Sequence, residues 1–385
     1  FGLGFSPGGS VIGSEWFGLS GVDLAVAPSD GLPTNGAVAL WNATCAVLVT
    51  GIAAASMAER TTSTTLVALG ASIGGLVYPL VARAAWGGGI VADLTIGSES
   101  FVDSARASVI GVAAGFMALV GAMVIGPRLG RFGPDGKPRA IPGRSMPLAV
   151  AGSLVVLIGW TGVVGNPAGD PTGSVPELVI ASFLGGASGS LSAAVASRIR
   201  YGVVGSESTV RGLFAGLVST SSGLVVLEPW ALAVVGAVGG LLAVGVAELV
   251  ERMQIDDPLG VIPAFGAGGV WALVATGLFD ANVDLLAVQI AALLIIASWS
   301  IAIAGFVFGG LHAVGLLRVS EDEELVGLDL AEQRRSTSCS PSPVVRTRAF
   351  DTLEFFRNAL SGVHPAGPRT SRHRPEHPGH GKDTP

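Results

Sequence analysis

The chain predicts an all-α polytopic membrane protein, and three observations carry that reading. Half of its residues are hydrophobic and only 13% are charged, about half the charged share of a soluble chain. The apolar residues come in runs of membrane-spanning length rather than in short alternating segments. Those runs hold much of the chain's glycine, 57 residues in 385. In a water-exposed helix each would cost about 1 kcal/mol of propensity, whereas in lipid they let neighbouring backbones approach closely.

Two stretches organise the rest. Ile255 to Phe279 opens on Asp256, Asp257 and Pro258 and then turns apolar, with Gly260, Gly266, Gly268 and Gly269. Asp103 to Arg128 repeats that grammar: an acid, a half-polar entry (Ser104, Ala105, Arg106), then Gly111, Gly115, Gly121 and Gly126. The repetition predicts an internal duplication with these two as its central helices.

Nine apolar spans of roughly 18 to 30 residues are expected, at about 36–58, 63–85, 104–127, 146–165, 176–197, 210–228, 229–250, 261–279 and 285–316. One set of connections carries Arg60, the basic run from Arg128 to Arg144, Arg198, Arg200, Arg211, Arg252 and Arg318. The opposite set carries Asp and Glu. Basic loops stay in the cytoplasm, so the C-terminus is expected inside and the start of the visible chain outside. Arg83 and Arg106 are the exceptions, both at the outer face. Residues 1–35 read as the end of a truncated helix followed by an outer loop, 36–318 as the membrane domain and 319–340 as a cytoplasmic segment. Residues 341–385 read as a disordered basic tail, suited to the anionic inner leaflet or simply solvated.

Little chemistry is on offer. A net charge of −6 with no basic aromatic stripe excludes nucleic acid as a partner. Cys45 and Cys339 are too unlike in setting to pair, and no phosphate loop or His/Cys cluster is present, so neither an enzyme nor a cofactor or metal is expected. Four of the five histidines (His364, His373, His377, His380) fall in the tail and read as low-complexity sequence, with a metal site as the minor alternative. His312 reads as a hydrogen-bonded structural residue. Tryptophans at membrane depth remain: Trp41, Trp86, Trp160, Trp271 and Trp299. Most such residues pack, but three stand beside a glycine or an amide, where a ring face suits a small cation in a narrow pathway.

The motifs then resemble the ammonium transporter (Amt/Mep/Rh) family. Trp41-Asn42 leads to Ala58-Glu59-Arg60, Tyr78-Pro79 leads to Trp86-Gly87-Gly88-Gly89, and Gly121 to Arg128 reads GAMVIGPR. Gly159-Trp160, Asp256-Asp257-Pro258 and Leu317 to Glu321 through Gly327-Leu328-Asp329 follow in order. The resemblance covers Phe1 to about Gln333. It implies two inverted five-helix repeats plus a last helix, with the nine spans as helices three to eleven. It further implies a homotrimer in the cell membrane, a pore for ammonium or ammonia in each protomer, and a Val319–Gln333 segment able to meet a PII signalling protein.

Carried over by position, the resemblance places Trp41, Trp86, Asp103 and Trp160 on the substrate pathway. Counted without gaps, the family's paired pore histidines fall on Gly111 and Phe265. A usual acid falls on Gly260, and the two stacked pore phenylalanines fall on Trp41 and Val163. Three expectations follow. Phe265 fills the space of the imidazoles, with Gly111 leaving room opposite it. Asp103, three residues before Arg106, neutralises it. Charged ammonium then has no relay, so the flux expected is of neutral gas. The alternatives are a non-conducting sensor or regulatory subunit, or a decayed fragment.

Overall fold

The computed structural model describes residues 10–13, 18–20, 34–86, 89–141, 143, 145–165, 175–328, 330 and 331, with side chains from residue 41 onward. The apolar helix end expected at the start of the chain and the basic tail lie outside the described residues. The chain divides into two units, residues 1–324 and 325–385, and the helical bundle belongs to the first.

Among the described residues, helices occupy each predicted span. They are α1 (Thr34–Ala55), α2 (Ser63–Trp86), α3 (Ala107–Ile125), α4 (Met146–Val164), α5 (Val175–Tyr201), α6 (Ser206–Ser221), α7 (Pro229–Arg252), α8 (Ile262–Phe279) and α9 (Val283–Ala313). A one-turn-scale helix, α10 (Glu321–Val326), follows. Seven are long and apolar enough to cross a membrane. The other two fall short of that measure: α1 shows a shorter apolar stretch, Trp41–Ala55, and α6 has 16 residues. The apolar run expected at 210–228 breaks at Ser219-Thr220-Ser221-Ser222-Gly223, where hydroxyls bond back to carbonyls of the preceding turn. Among the described residues strand is confined to two small antiparallel hairpins, β1 (Ser10–Gly13) with β2 (Gly18–Ser20) and β3 (Thr95–Ile96) with β4 (Glu99–Ser100).

Helix starts follow local chemistry. Ser145 caps α4 ahead of Pro147, accepting from Leu148 N, and Asn282 caps α9, accepting from Asp284 N and Leu285 N. The two central helices begin in another way. Each opens with a π-helical segment, Ala107–Ala113 in α3 and Ile262–Ala267 in α8. An acid precedes each and accepts from its first amides. Asp103 takes Ala107 N at 2.7 Å and Ser108 N at 3.0 Å, and Asp257 takes Ile262 N at 2.8 Å. The duplicated grammar of the sequence therefore has a duplicated structure: acid, cap, widened first turns, glycine face. Such widened turns cluster at functional sites.

The glycine faces meet. A side chain at Gly115 would overlap Gly266, and a Cβ at Gly111 would lie 2.7 Å from Gly269 Cα and 2.8 Å from Val218 Cγ1. Successive contacts run in opposite directions along α3 and α8, so the helices cross antiparallel, backbone on backbone. A second glycine seam joins α5, α6 and α7, where a Cβ at Gly189 would come within 2.8 Å of Gly216 Cα and 2.9 Å of Gly236 O. These approaches maximise dispersion contact where lipid offers no hydrophobic drive.

At the end of the bundle opposite Asp103, charge replaces glycine as the organising element. Asp256, 1% exposed, accepts from Arg128 Nε at 2.8 Å and Nη2 at 3.1 Å, and Arg131 Nε lies 3.4 Å from it as an ion pair. Arg60, wholly buried, reaches its carboxylate at 3.6 Å and its backbone oxygen at 3.0 Å. Burial pushes the Asp256 carboxyl up, but the Arg128 bonds and the nearby arginine charges outweigh it and hold the carboxyl below its ordinary value. Burial likewise pulls the Arg60 guanidinium down to about 10, with Asp256 opposing.

Two tests follow from this packing. Asp256→Asn leaves three arginines around a neutral side chain and should cost about 3–5 kcal/mol at neutral pH, read by denaturant unfolding in detergent. Because the native carboxyl is depressed, its contribution is present above the unfolded value of about 3.9 and fades as pH falls through the lower native one. The gap between native and variant should therefore close in acid. A loss under about 1 kcal/mol at neutral pH would show that the arginines are screened like surface ions. Gly111→Ala forces apart two backbones and should cost about 1–3 kcal/mol. Gly159→Ala, where nothing lies within 4 Å, should cost nothing, and equal losses at the two sites would contradict the crossing.

Candidate substrate pathway

Three of the predicted pathway residues gather at one end of the bundle. Trp41 comes from the first turns of α1, Trp86 ends α2, and Asp103 precedes α3. Between the two indoles lies a residue expected instead to pair with Asp103. The Arg106 Cζ sits 3.7 Å from the centroid of the Trp41 ring and 3.9 Å from that of Trp86. Its Nη1 donates to Asn42 Oδ1 at 3.1 Å, and the Tyr78 hydroxyl donates to the same oxygen at 3.2 Å. Arg106 is 7% exposed. Trp41 Nε1 in turn donates to Gly162 O at 3.0 Å, fixing its ring against the end of α4.

The expected pairing of Asp103 with Arg106 does not form: among the described residues no ion pair joins them. The rule for residues three apart assumes a continuous helix, and this segment is not one. Arg106 has φ 64° and ψ 38°, the left-handed region, which directs its side chain away from the acid. The carboxylate is spent instead on the Ala107 and Ser108 amides and the Ser108 hydroxyl. A non-glycine residue in that region costs about 1–3 kcal/mol. Two desolvated cation–π contacts, worth about 2 kcal/mol each, are enough to offset it.

The segment leading into Arg106 is held from several sides. Ser104 N donates to Ser222 O at 3.1 Å and Ala105 N to Ser221 O at 2.8 Å. The Ser222 hydroxyl and the Gln289 amide both donate to Val102 O, at 2.9 and 2.6 Å. The strained residue therefore sits at the end of a fixed strut rather than in a loose loop.

The remaining predicted residues lie deeper. Trp160, 2% exposed, donates to Ser182 Oγ at 3.0 Å and so ties α4 to α5. Val163, 6% exposed, lies one residue past Gly162, whose carbonyl holds Trp41. The Phe265 ring is buried and stacks on Phe214 of α6, centroids 5.9 Å apart and planes 22° apart.

Gly111 does not leave room opposite Phe265. It faces Gly269 and Val218, and the Phe265 backbone faces Gly115 instead. The space gained by losing a side chain at 111 is consumed by the approach of α8. No histidine stands at the crossing, and the one histidine among the described residues, His312, is exposed near the end of α9, without the side-chain hydrogen bond expected of it. No group of described residues has the makings of a metal site. At Gly260, φ 65°, the Arg211 guanidinium packs where the family resemblance expects an acid.

Tyr78, Asn42 and Arg106 join this cluster without having been assigned to it from the sequence. Only Arg106 left a signal, as a base on the acidic side of the charge pattern.

Comparison with known proteins agrees with this architecture. Residues 1–337 match the model of the Ammonium Transporter Family. The chain is 30% identical to "Ammonium transporter Amt2" of Archaeoglobus fulgidus over 86% of its length and 76% of the relative's. It is 29% identical to "Ammonium transporter 1 member 4" of Arabidopsis thaliana, covering 86% of this chain and 73% of that one. Among solved structures, "Sensor Amt Protein" superposes with a TM-score of 0.70 at 26% identity, covering 75% of this chain and 74% of its own. With the family model matching residues 1–337, the chain belongs to the ammonium transporter family.

Proposed function

We propose that this protein moves ammonia across the cell membrane as the neutral molecule, through a path inside each protomer, and does not carry charged ammonium. The observation that supports this most directly is the composition of the central crossing. Gly111 against Gly269 and Phe265 against Phe214 offer no titratable or hydrogen-bonding side chain. An ion entering such a place loses its hydration without replacement, at a cost of several kcal/mol or more. Neutral ammonia loses far less. The substrate class comes from the relatives, whose names state ammonium transport. Trp41, Trp86 and Asp103 mark the entrance, and Trp160, Val163, Gly111 and Phe265 mark the interior.

Protein reconstituted in liposomes should give no current under an ammonium gradient. It should still speed the pH rise inside the vesicles that entering ammonia causes, relative to empty vesicles. A robust ammonium current would overturn the gas reading. Silence in both assays would favour the second reading, a non-conducting sensor. That reading draws support from the arginine standing among the entrance aromatics and from the similarity to the sensor structure.

The end of the bundle carrying Arg60, Arg128 and Arg318 faces the cytoplasm in this proposal, with residues 319–340 as a regulatory segment and 341–385 as a basic tail. The anchoring of that segment supports the assignment: Val319 N donates to Arg60 O at 3.0 Å, and Glu324 accepts from Leu129 N at 2.8 Å and from Arg318 at 2.9 Å. A homotrimer suits the broad apolar faces left uncovered on α4, α5 and α9, and a PII-type protein is the proposed partner of the segment. For orientation, Lys137→Cys in a background lacking Cys45 and Cys339 should be labelled by an impermeant reagent only after cells are permeabilised. Labelling of intact cells would invert the topology.

A further inference from the structure

We infer that Arg106 is a tethered occupant of its own protein's cation cage: its guanidinium fills the place between Trp41 and Trp86 where a free ammonium-like cation would sit. The inference rests on the reading that the pathway opens at this end. It goes beyond that reading by assigning the state of the entrance.

Four observations carry it. Both indole faces are taken at 3.7 and 3.9 Å, far inside the ~6 Å reach of a cation–π contact, so no second cation fits between them. The positive charge is met at close range by two π faces and one amide oxygen, Asn42 Oδ1, with no ion pair to a carboxylate among the described residues. That set recognises a soft, small monovalent cation and is indifferent to whether the cation is tethered. Burial to 7% exposure shows a residue enclosed rather than lying on the surface by chance. Finally, the left-handed backbone at Arg106 is maintained by the bonds that pin Ser104 and Ala105 to the end of α6. A strained conformation persists only where its surroundings over-determine it, and here they aim the side chain into the cage.

The cage and its occupant are separable, because Trp41 is fixed independently through Gly162 and Asn42 through Tyr78. Arg106→Gly suits the positive φ and empties the cage. Arg106→Gln also removes the charge while keeping an amide donor for Asn42. Methylammonium binding to the full-length protein in detergent, followed by tryptophan fluorescence and by calorimetry, tests the assignment. The native chain should show no saturable binding, and both variants should gain at least tenfold in affinity. Adding Trp86→Ala to either should abolish the gain.

Native protein that binds methylammonium as tightly as the variants would overturn the inference, as would variants that gain nothing. Collapse of both variants would overturn it too, by showing that Arg106 builds the cage rather than occupies it. Flux is read separately. A variant that binds methylammonium yet passes no ammonia leaves the tethered occupant standing and removes the pore reading.

Discussion

The fold depends on one contact, the passage of α3 across α8 with glycine on each side. Bringing the backbones together at Gly111 and Gly269, and again at Gly115 and Gly266, decides where every neighbouring side chain can go. It leaves no volume for an imidazole at 111. It sets the Phe265 backbone against Gly115, and the ring finds its partner on α6. The widened first turns of both helices, each held by an acid on its opening amides, bring the glycine faces into the crossing. The chemistry that the pathway lacks is thus tied to the packing that stabilises it.

The two ends of the bundle handle buried arginine in contrasting ways. At one end Asp256 gathers Arg60, Arg128 and Arg131, so Coulomb attraction and hydrogen bonds together offset desolvation. At the other, Arg106 is buried without an ion pair among the described residues, facing two rings and an amide oxygen. Quadrupole and carbonyl fields are weaker than a carboxylate's, so enclosure and the pinned backbone before it, rather than an ion pair, keep this guanidinium in place.

Much of this was legible beforehand. Apolar run length and loop charge located the helices to within a few residues, except that the run expected at 210–228 ends at Ser221, and the acid-then-glycine grammar of 103–128 and 255–279 picked out the central pair. The failures have physical causes. Composition marks a glycine but not its surroundings: Gly51 and Gly159 face open space while Gly111 is pressed against another backbone, and a linear reading treats them alike. The Asp103–Arg106 pairing failed because spacing rules presume the helix has begun, and here it begins one residue later. Phe214 as the partner of Phe265, and Asn42 as the acceptor for Arg106, join positions 51 and 64 residues apart (265 − 214, 106 − 42). No local pattern encodes such meetings.

The Arg60–Asp256 contact also sets an order of events during synthesis. Arg60 leaves the ribosome 196 residues ahead of its acid, which at about 5–20 residues per second is on the order of 10–40 s. Of the carbonyls that its guanidinium bonds in the finished fold, Ser56 O is made just before it and Gly126 O 66 residues after it. Val319, whose amide bonds to Arg60 O, emerges later still. The basic end of the bundle is therefore finished last, and until then a nascent chain presents an unpaired cation beside freshly inserted helices, a period in which it depends on water, lipid headgroups or the insertion machinery for its counter-charge.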